Sequence, residues 1–211
     1  MLRITEIFYS LQGESTTMGL PTVFIRLTGC PLRCGYCDTD YAFTGGTKMA
    51  IEDVLEKVAS YNPRYVCVTG GEPLAQKEAC TLMHQLCNAG YHVSIETSGA
   101  ITIENIDRRV MVVMDLKTPG SGEVSRNLMS NIPLLKKSDQ VKFVLTNRDD
   151  YLWAKKTIEE QELTERCQVL LSPSYEQLQP DILAAWIIED NLPVRFQLQL
   201  HKVIWGEKRG V

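Results

Sequence analysis

The sequence predicts an α/β fold: an incomplete, TIM-like barrel of about six parallel strands, built as a single domain over residues 1-211. Three observations carry this. Short β-branched or aromatic runs recur along the chain, and helix-period stretches lie between many of them. Strands that alternate with helices form parallel sheets, and several of these runs are continuously apolar, as strands covered on both faces are. At 211 residues the chain is also too short for a complete eightfold barrel, which usually needs about 250.

In chain order, runs at 3-9 and 22-28 read as strands, the second ending at a cysteine-rich loop. A helix is expected at 50-61, a strand at 65-69, a helix at 75-89 and a strand at 92-96. The link 97-109 is too short for a full crossover helix, so one helix of the barrel is expected to be missing before the strand at 110-115. The segment 124-137 has a weak helical period broken by Pro133. Strands at 140-145, 167-171 and 194-200 then alternate with helices at 149-163 and 176-190. Glycines gather in the loops around the strands, Gly70, Gly71 and Gly99 among them, where a backbone can come close to a ligand.

Hydrophobic residues make up 44% of the chain and charged ones 23%, and no apolar run approaches the ~18 residues needed to cross a bilayer. Membrane-spanning and disordered classes are therefore disfavoured. A net charge of -4 lacks the basic footprint of a protein whose partner is nucleic acid. Met1-Leu2-Arg3-Ile4-Thr5-Glu6 has no export signal, and seven cysteines are an odd number for a disulfide framework, so a cytoplasmic protein with core or ligand thiols is expected.

Three of those thiols sit on one loop directly after a strand, in Cys30-Pro31-Leu32-Arg33-Cys34-Gly35-Tyr36-Cys37. Thiolates are soft ligands for zinc or for iron-sulfur clusters. A structural zinc site closes with four ligands, whereas Cys67, Cys80, Cys87 and Cys167 are all isolated. The spacing favours a cluster with one open iron and leaves zinc as the alternative. Thr69-Gly70-Gly71-Glu72-Pro73 follows another strand, and there Glu72 could accept from an ammonium group. By itself that segment could equally be an ordinary turn with proline at the first position of a helix.

The C-x3-C-x2-C spacing, the aromatic Tyr36 and the Gly-Gly-Glu-Pro segment together resemble the radical S-adenosylmethionine (SAM) superfamily. Glu6 to Glu14, Phe24 to Pro31, Cys37-Asp38-Thr39, Glu96 to Gly99, Asp115 to Lys117 and Gln199 to Lys202 resemble, over nearly the whole chain, the 7-carboxy-7-deazaguanine synthase family. The resemblance implies a carbon-nitrogen lyase that turns 6-carboxy-5,6,7,8-tetrahydropterin into 7-carboxy-7-deazaguanine with loss of ammonia. This step lies on the way to queuosine, a tRNA modification, and to other 7-deazapurines. The cofactors implied are a [4Fe-4S] cluster, SAM used catalytically, and Mg2+.

Carried over residue by residue, Cys30, Cys34 and Cys37 would hold the cluster. Tyr36, Cys37, Asp38, Gly71, Asp115, Leu116 and Lys117 would contact SAM. Leu11, Gln12, Gly13, Arg26 and Thr69 would contact the pterin, with Arg26 facing its carboxylate, and Thr39 would bind Mg2+. The resemblance also implies a homodimer and an electron donor such as flavodoxin. Three departures stand out. Ser15 replaces the usual glycine after Leu-Gln-Gly-Glu, Asp115-Leu116 replaces the Ser-Pro of many relatives, and nine residues follow Lys202, so the role that some relatives give to a terminal carboxylate is not transferred to Val211.

Other readings stay open. Arg26 could be a structural ion-pair partner, because buried arginines are usually paired. His84 and His92 read as structural, and His201-Lys202 is left without a catalytic role. A glycyl-radical-enzyme activating protein shares the triplet and the glycine motif but lacks the Leu-Gln-Gly-Glu, Cys-Asp-Thr and His-Lys segments. A zinc-stabilised binding module is the non-catalytic alternative.

Overall fold

In the computed structural model, which describes residues 1-211, the chain runs β1 (Leu2–Leu11), β2 (Pro21–Leu27), β3 (Thr47–Met49), α1 (Ile51–Ala59), β4 (Tyr65–Gly70) and α2 (Glu78–Asn88). It continues through β5 (His92–Thr97), β6 (Met111–Asp115), β7 (Gln140–Leu145), α3 (Arg148–Glu160), α4 (Leu163–Arg166), β8 (Gln168–Pro173), α5 (Pro180–Glu189), β9 (Arg195–Phe196) and α6 (Leu200–Trp205). All strands join one sheet in the order β3-β1-β2-β4-β5-β6-β7-β8-β9. From β2 to β9 every neighbouring pair is parallel, and β3 and β9 are the two unjoined edges, so the barrel is open. No helix is long and apolar enough to cross a membrane.

Three details differ from expectation. β1 pairs antiparallel with β2, because the nine residues between them cannot hold the crossover that a parallel pair requires. Residues 124-137 form short 3-10 turns at Val124–Arg126 and Met129–Leu134 instead of an α-helix, with Pro133 inside the second. The strand expected at 194-200 stops at Phe196, and the chain turns into α6 instead. There the Gln197 amide still donates to the Leu171 carbonyl of β8 (2.9 Å), but its side chain bonds the main chain of Ser15 and the Leu200 amide donates to the Gly13 carbonyl (2.9 Å), which turns the chain toward the β1-β2 loop.

The strands alternate in character. Val66 and Val68, Val93 and Ile95, and Val141 and Phe143 point outward into one apolar core with Leu82, Met83 and Leu86 of α2 and Ala154 and Ile158 of α3. Fully burying each such aliphatic side chain stabilises the fold by about 1.5-3 kcal/mol. The intervening residues Arg26, Thr69, Glu96, Asp115 and Lys142 point the other way, into a cavity of about 780 Å³. The β1-β2 loop forms its floor. Ser15 and Thr16 bridge to Gln197 and to Gln140, the first residue of β7, and Ser15 holds a left-handed φ of 67°.

Candidate active site

The cysteine loop leaves β2 at the C-terminal end of the parallel strands, and Cys30, Cys34 and Cys37 all line the cavity. Burial pushes all three thiols up, so a metal must displace their protons to bind. Cys34 feels the charges of both Cys30 and Cys37, yet the three do not gather around one point as ligands of a single ion do. Separate thiolates on one loop suit a cluster in which each meets its own iron. The donor set therefore fits a [4Fe-4S] group.

The turn after β4 lies directly against this loop. The Gly71 amide donates to the Leu27 carbonyl (3.1 Å) and the Glu72 amide to the Gly29 carbonyl (2.8 Å). A Cβ at Gly71 would overlap the Gly29 carbonyl and the Cys30 side chain. The paired glycines thus let two strand-end loops touch.

Glu72 corrects the expectation that it receives an ammonium group. Its side chain is fully buried and accepts from the Leu74 amide (3.0 Å), Thr97 Oγ1 (2.9 Å), the Ser98 amide (2.7 Å) and Ser98 Oγ (2.5 Å). It braces the end of β5 behind the cavity wall. Nothing in the local sequence reveals this, since two of its partner residues lie 25 and 26 positions away.

Most of the expected site residues share the one cavity: Leu11, Gln12, Gly13, Arg26, Tyr36, Asp38, Thr39, Thr69, Gly71, Asp115 and Lys117 line it with the three cysteines. Leu116 does not. Alternation turns its side chain into the apolar core, and its amide is taken by the Lys142 carbonyl (2.9 Å). Arg26 is not unpaired either. Its Nε donates to Glu6 Oε1 (2.7 Å), which also accepts from the Tyr41 hydroxyl (2.8 Å), while no hydrogen bond takes its terminal nitrogens. The structural pairing therefore leaves the terminal nitrogens of a cavity-lining guanidinium without a hydrogen bond.

Asp38 accepts from Thr39 Oγ1 (2.7 Å); burial alone would raise its carboxyl, but that bond and the charge of Lys202 outweigh it and hold it low. Tyr36 brings a buried hydroxyl with no partner, and Lys117 Nζ lies 5.8 Å from its ring centroid. Gly13 supports His201, since a Cβ there would overlap the imidazole ring. His84 and His92 lie away from the cavity, His84 in an exposed pair with Asp107 (2.7 Å).

Several lining residues were missed by the sequence reading. Glu14, Glu96 and Lys142 are one group, Ser174 to Gln177 after β8 a second, and residues 206-211 a third. The signal for Glu96 and Lys142 was available: each is a lone charge in a strand of otherwise apolar or neutral residues. The terminal segment had no such signal. It folds back so that the Arg209 guanidinium lies 4.1 Å from the Tyr41 ring centroid and Lys202 pairs with Glu207 (2.8 Å).

Residues 24–116 match the model of the Radical SAM superfamily. The 7-carboxy-7-deazaguanine synthase of Chlorobaculum tepidum is 42% identical over 214 residues, covering 100% of this chain and 97% of its own length. That of Methanospirillum hungatei is 45% identical, covering 96% of this chain and 85% of its own. This chain belongs to the 7-carboxy-7-deazaguanine synthase family. The crystal structure of QueE from Escherichia coli has the same fold, with a TM-score of 0.77 at 24% identity over 95% of this chain and 94% of that one. With membership of a radical SAM family go a [4Fe-4S] cluster and SAM, the groups that the three-thiol loop suits.

Proposed function

We propose that the chain is the lyase that converts 6-carboxy-5,6,7,8-tetrahydropterin to 7-carboxy-7-deazaguanine with loss of ammonia, in queuosine and 7-deazapurine biosynthesis. The observation that carries this is the convergence, in one cavity, of the three-thiol loop with Gln12, Arg26 and Thr69. The full-length relatives bear the synthase name, so a glycyl-radical-enzyme activating protein is not favoured.

In this reading Cys30, Cys34 and Cys37 hold the cluster. The Tyr36 to Asp38 backbone, Gly71, Asp115 and Lys117 hold SAM. Hydrogen abstraction is the chemistry that SAM and the reduced cluster supply when bound. The task of the chain is placement. Arg26 keeps Nε on Glu6 and offers its outer edge to the substrate carboxylate, a planar fork for a planar anion. Gln12 and Thr69 both donate to Glu96, at 3.2 and 2.9 Å, so the two pterin contacts are fixed by one carboxylate. The closed floor and the sheet keep bulk water from the reacting carbon. Thr39 beside Asp38 offers hard oxygens for Mg2+, which keeps several waters and takes the rest from substrate. A single cytoplasmic domain that works as a homodimer and is reduced by a flavodoxin-like donor completes the reading.

The test is an anaerobic assay of reconstituted protein with reductant, SAM, Mg2+ and the tetrahydropterin, read by mass spectrometry. The expected outcome is 7-carboxy-7-deazaguanine with SAM recovered. Protein that carries its cluster and cleaves SAM, yet leaves the pterin unchanged, overturns the substrate assignment.

A further inference from the structure

Resting on that reading, we propose that Lys142 is a positioning residue that ties the SAM side of the cavity to the pterin side through Glu14. Lys142 is the third residue of β7, inward-facing and buried between the apolar Val141 and Phe143. Its ammonium pairs with Glu14 on the floor loop and lies 3.7 Å from Asp115 Oδ2. The same Asp115 oxygen takes Lys117 Nζ at 2.9 Å. On the other side, Glu14 accepts from Gln199 Nε2 (2.9 Å), and its amide donates to Gln12 Oε1 (3.1 Å). Gln12 reaches Glu96, and Glu96 reaches Thr69. A continuous polar path thus runs from Lys117 to Thr69, and Lys142 joins its two halves.

Charge shows what the link does. Lys117, Asp115, Lys142 and Glu14 form a buried group of two cations and two anions, neutral as a set. Burial alone would pull the lysine down and push the glutamate up. Each carboxylate-ammonium contact outweighs this, so the lysine ends raised and the glutamate lowered. Without the Lys142 ammonium, Glu14 would lose the one ammonium it pairs with, since Lys117 pairs with Asp115, and a buried anion without a partner takes a proton or admits water. Either response releases Glu14 and, through its amide, the Gln12 contact. Asp115 Oδ1 is buried and without a partner, so the side of this carboxylate not held by the lysines has acceptor capacity for a ligand.

The role is tested on anaerobically reconstituted holoenzyme with SAM present, titrated with 6-carboxypterin and followed by the pterin's own fluorescence. Lys142→Met is expected to weaken binding by about 30-fold, the size typical of truncating one partner of a desolvated charge pair. Glu14→Gln is expected to do the same, and the double variant to bind no worse than the weaker single, because both remove one contact. Lys142→Arg, which keeps the charge, should recover part of the affinity. A purely structural lysine would lower the melting temperature and leave the affinity of the folded fraction intact. Wild-type affinity in Lys142→Met, or additive losses in the double variant, overturns the role. If Lys142→Met does not fold, the near-isosteric Glu14→Gln decides alone, and unchanged binding there overturns it. A wild type that does not bind the pterin overturns the functional reading, and this role falls with it.

Discussion

Two faces of one sheet, made by alternate residues of the same strands, differ in chemistry. Outward, Val66, Val68, Val93, Ile95, Val141 and Phe143 meet the helices in a dry apolar layer. Inward, Thr69, Glu96, Asp115 and Lys142 carry hydroxyls and charges around a cavity. The outer layer stabilises the fold whatever the chain does; the inner layer is retained at some cost in desolvation, because buried ion pairs are poor stabilisers. The difference separates the residues that make the barrel stand from those that make it bind.

The comparison is sharpest at the cysteines. Cys30→Ala, Cys34→Ala or Cys37→Ala should take iron from about four per chain to nearly none after anaerobic reconstitution. Cys80→Ala and Cys87→Ala, on α2 behind the outer layer, should leave it unchanged; iron analysis and the absorbance near 400 nm read both. Next comes the apolar layer itself. Phe143→Ala should cost about 3-5 kcal/mol in denaturant unfolding while substrate affinity of the folded fraction is kept. If affinity falls in proportion, the two faces are not separable.

Arg26→Ala should do the reverse, weakening pterin binding by about 30-fold with little effect on cluster content or on SAM cleavage in the absence of pterin. Lysine should substitute poorly. Near-normal affinity would make the Glu6 pair the whole role of Arg26. The smallest effect belongs to the floor that joins the faces. Ser15→Gly removes a left-handed non-glycine residue but also the Ser15 Oγ bonds to Thr17 (2.8 and 3.2 Å), so a gain of at most about 1 kcal/mol is expected from thermal melts.

How much of this could be read beforehand follows the same division. Apolar runs and helical periods gave nearly every long element, because the outer layer obeys simple periodicity. The cysteine loop was legible because its ligands are close in sequence. Glu72 was misread because its Thr97 and Ser98 partners come from the end of another strand, and Leu116 because a motif of three consecutive residues hides the alternation that sends its middle member into the core. The β1-β2 pairing could have been inferred from the short loop between the strands. Lys142 was passed over: it is a lone charge in its strand, but its partner is not visible nearby, since Glu14 lies 128 residues away. The return of residues 206-211 to the cavity depends on tertiary packing that no local pattern records.

The contact between Gly71 and the cysteine loop sets a tolerance. Two main-chain bonds, from Gly71 to Leu27 and from Glu72 to Gly29, join the loops, so their spacing is written in backbone. Side-chain drift along β2 and β4 leaves such a spacing alone. One added methyl group at position 71 would wedge the loops apart and move the cluster ligands relative to the cofactor cradle, an offset that no side-chain change elsewhere on those two strands would restore.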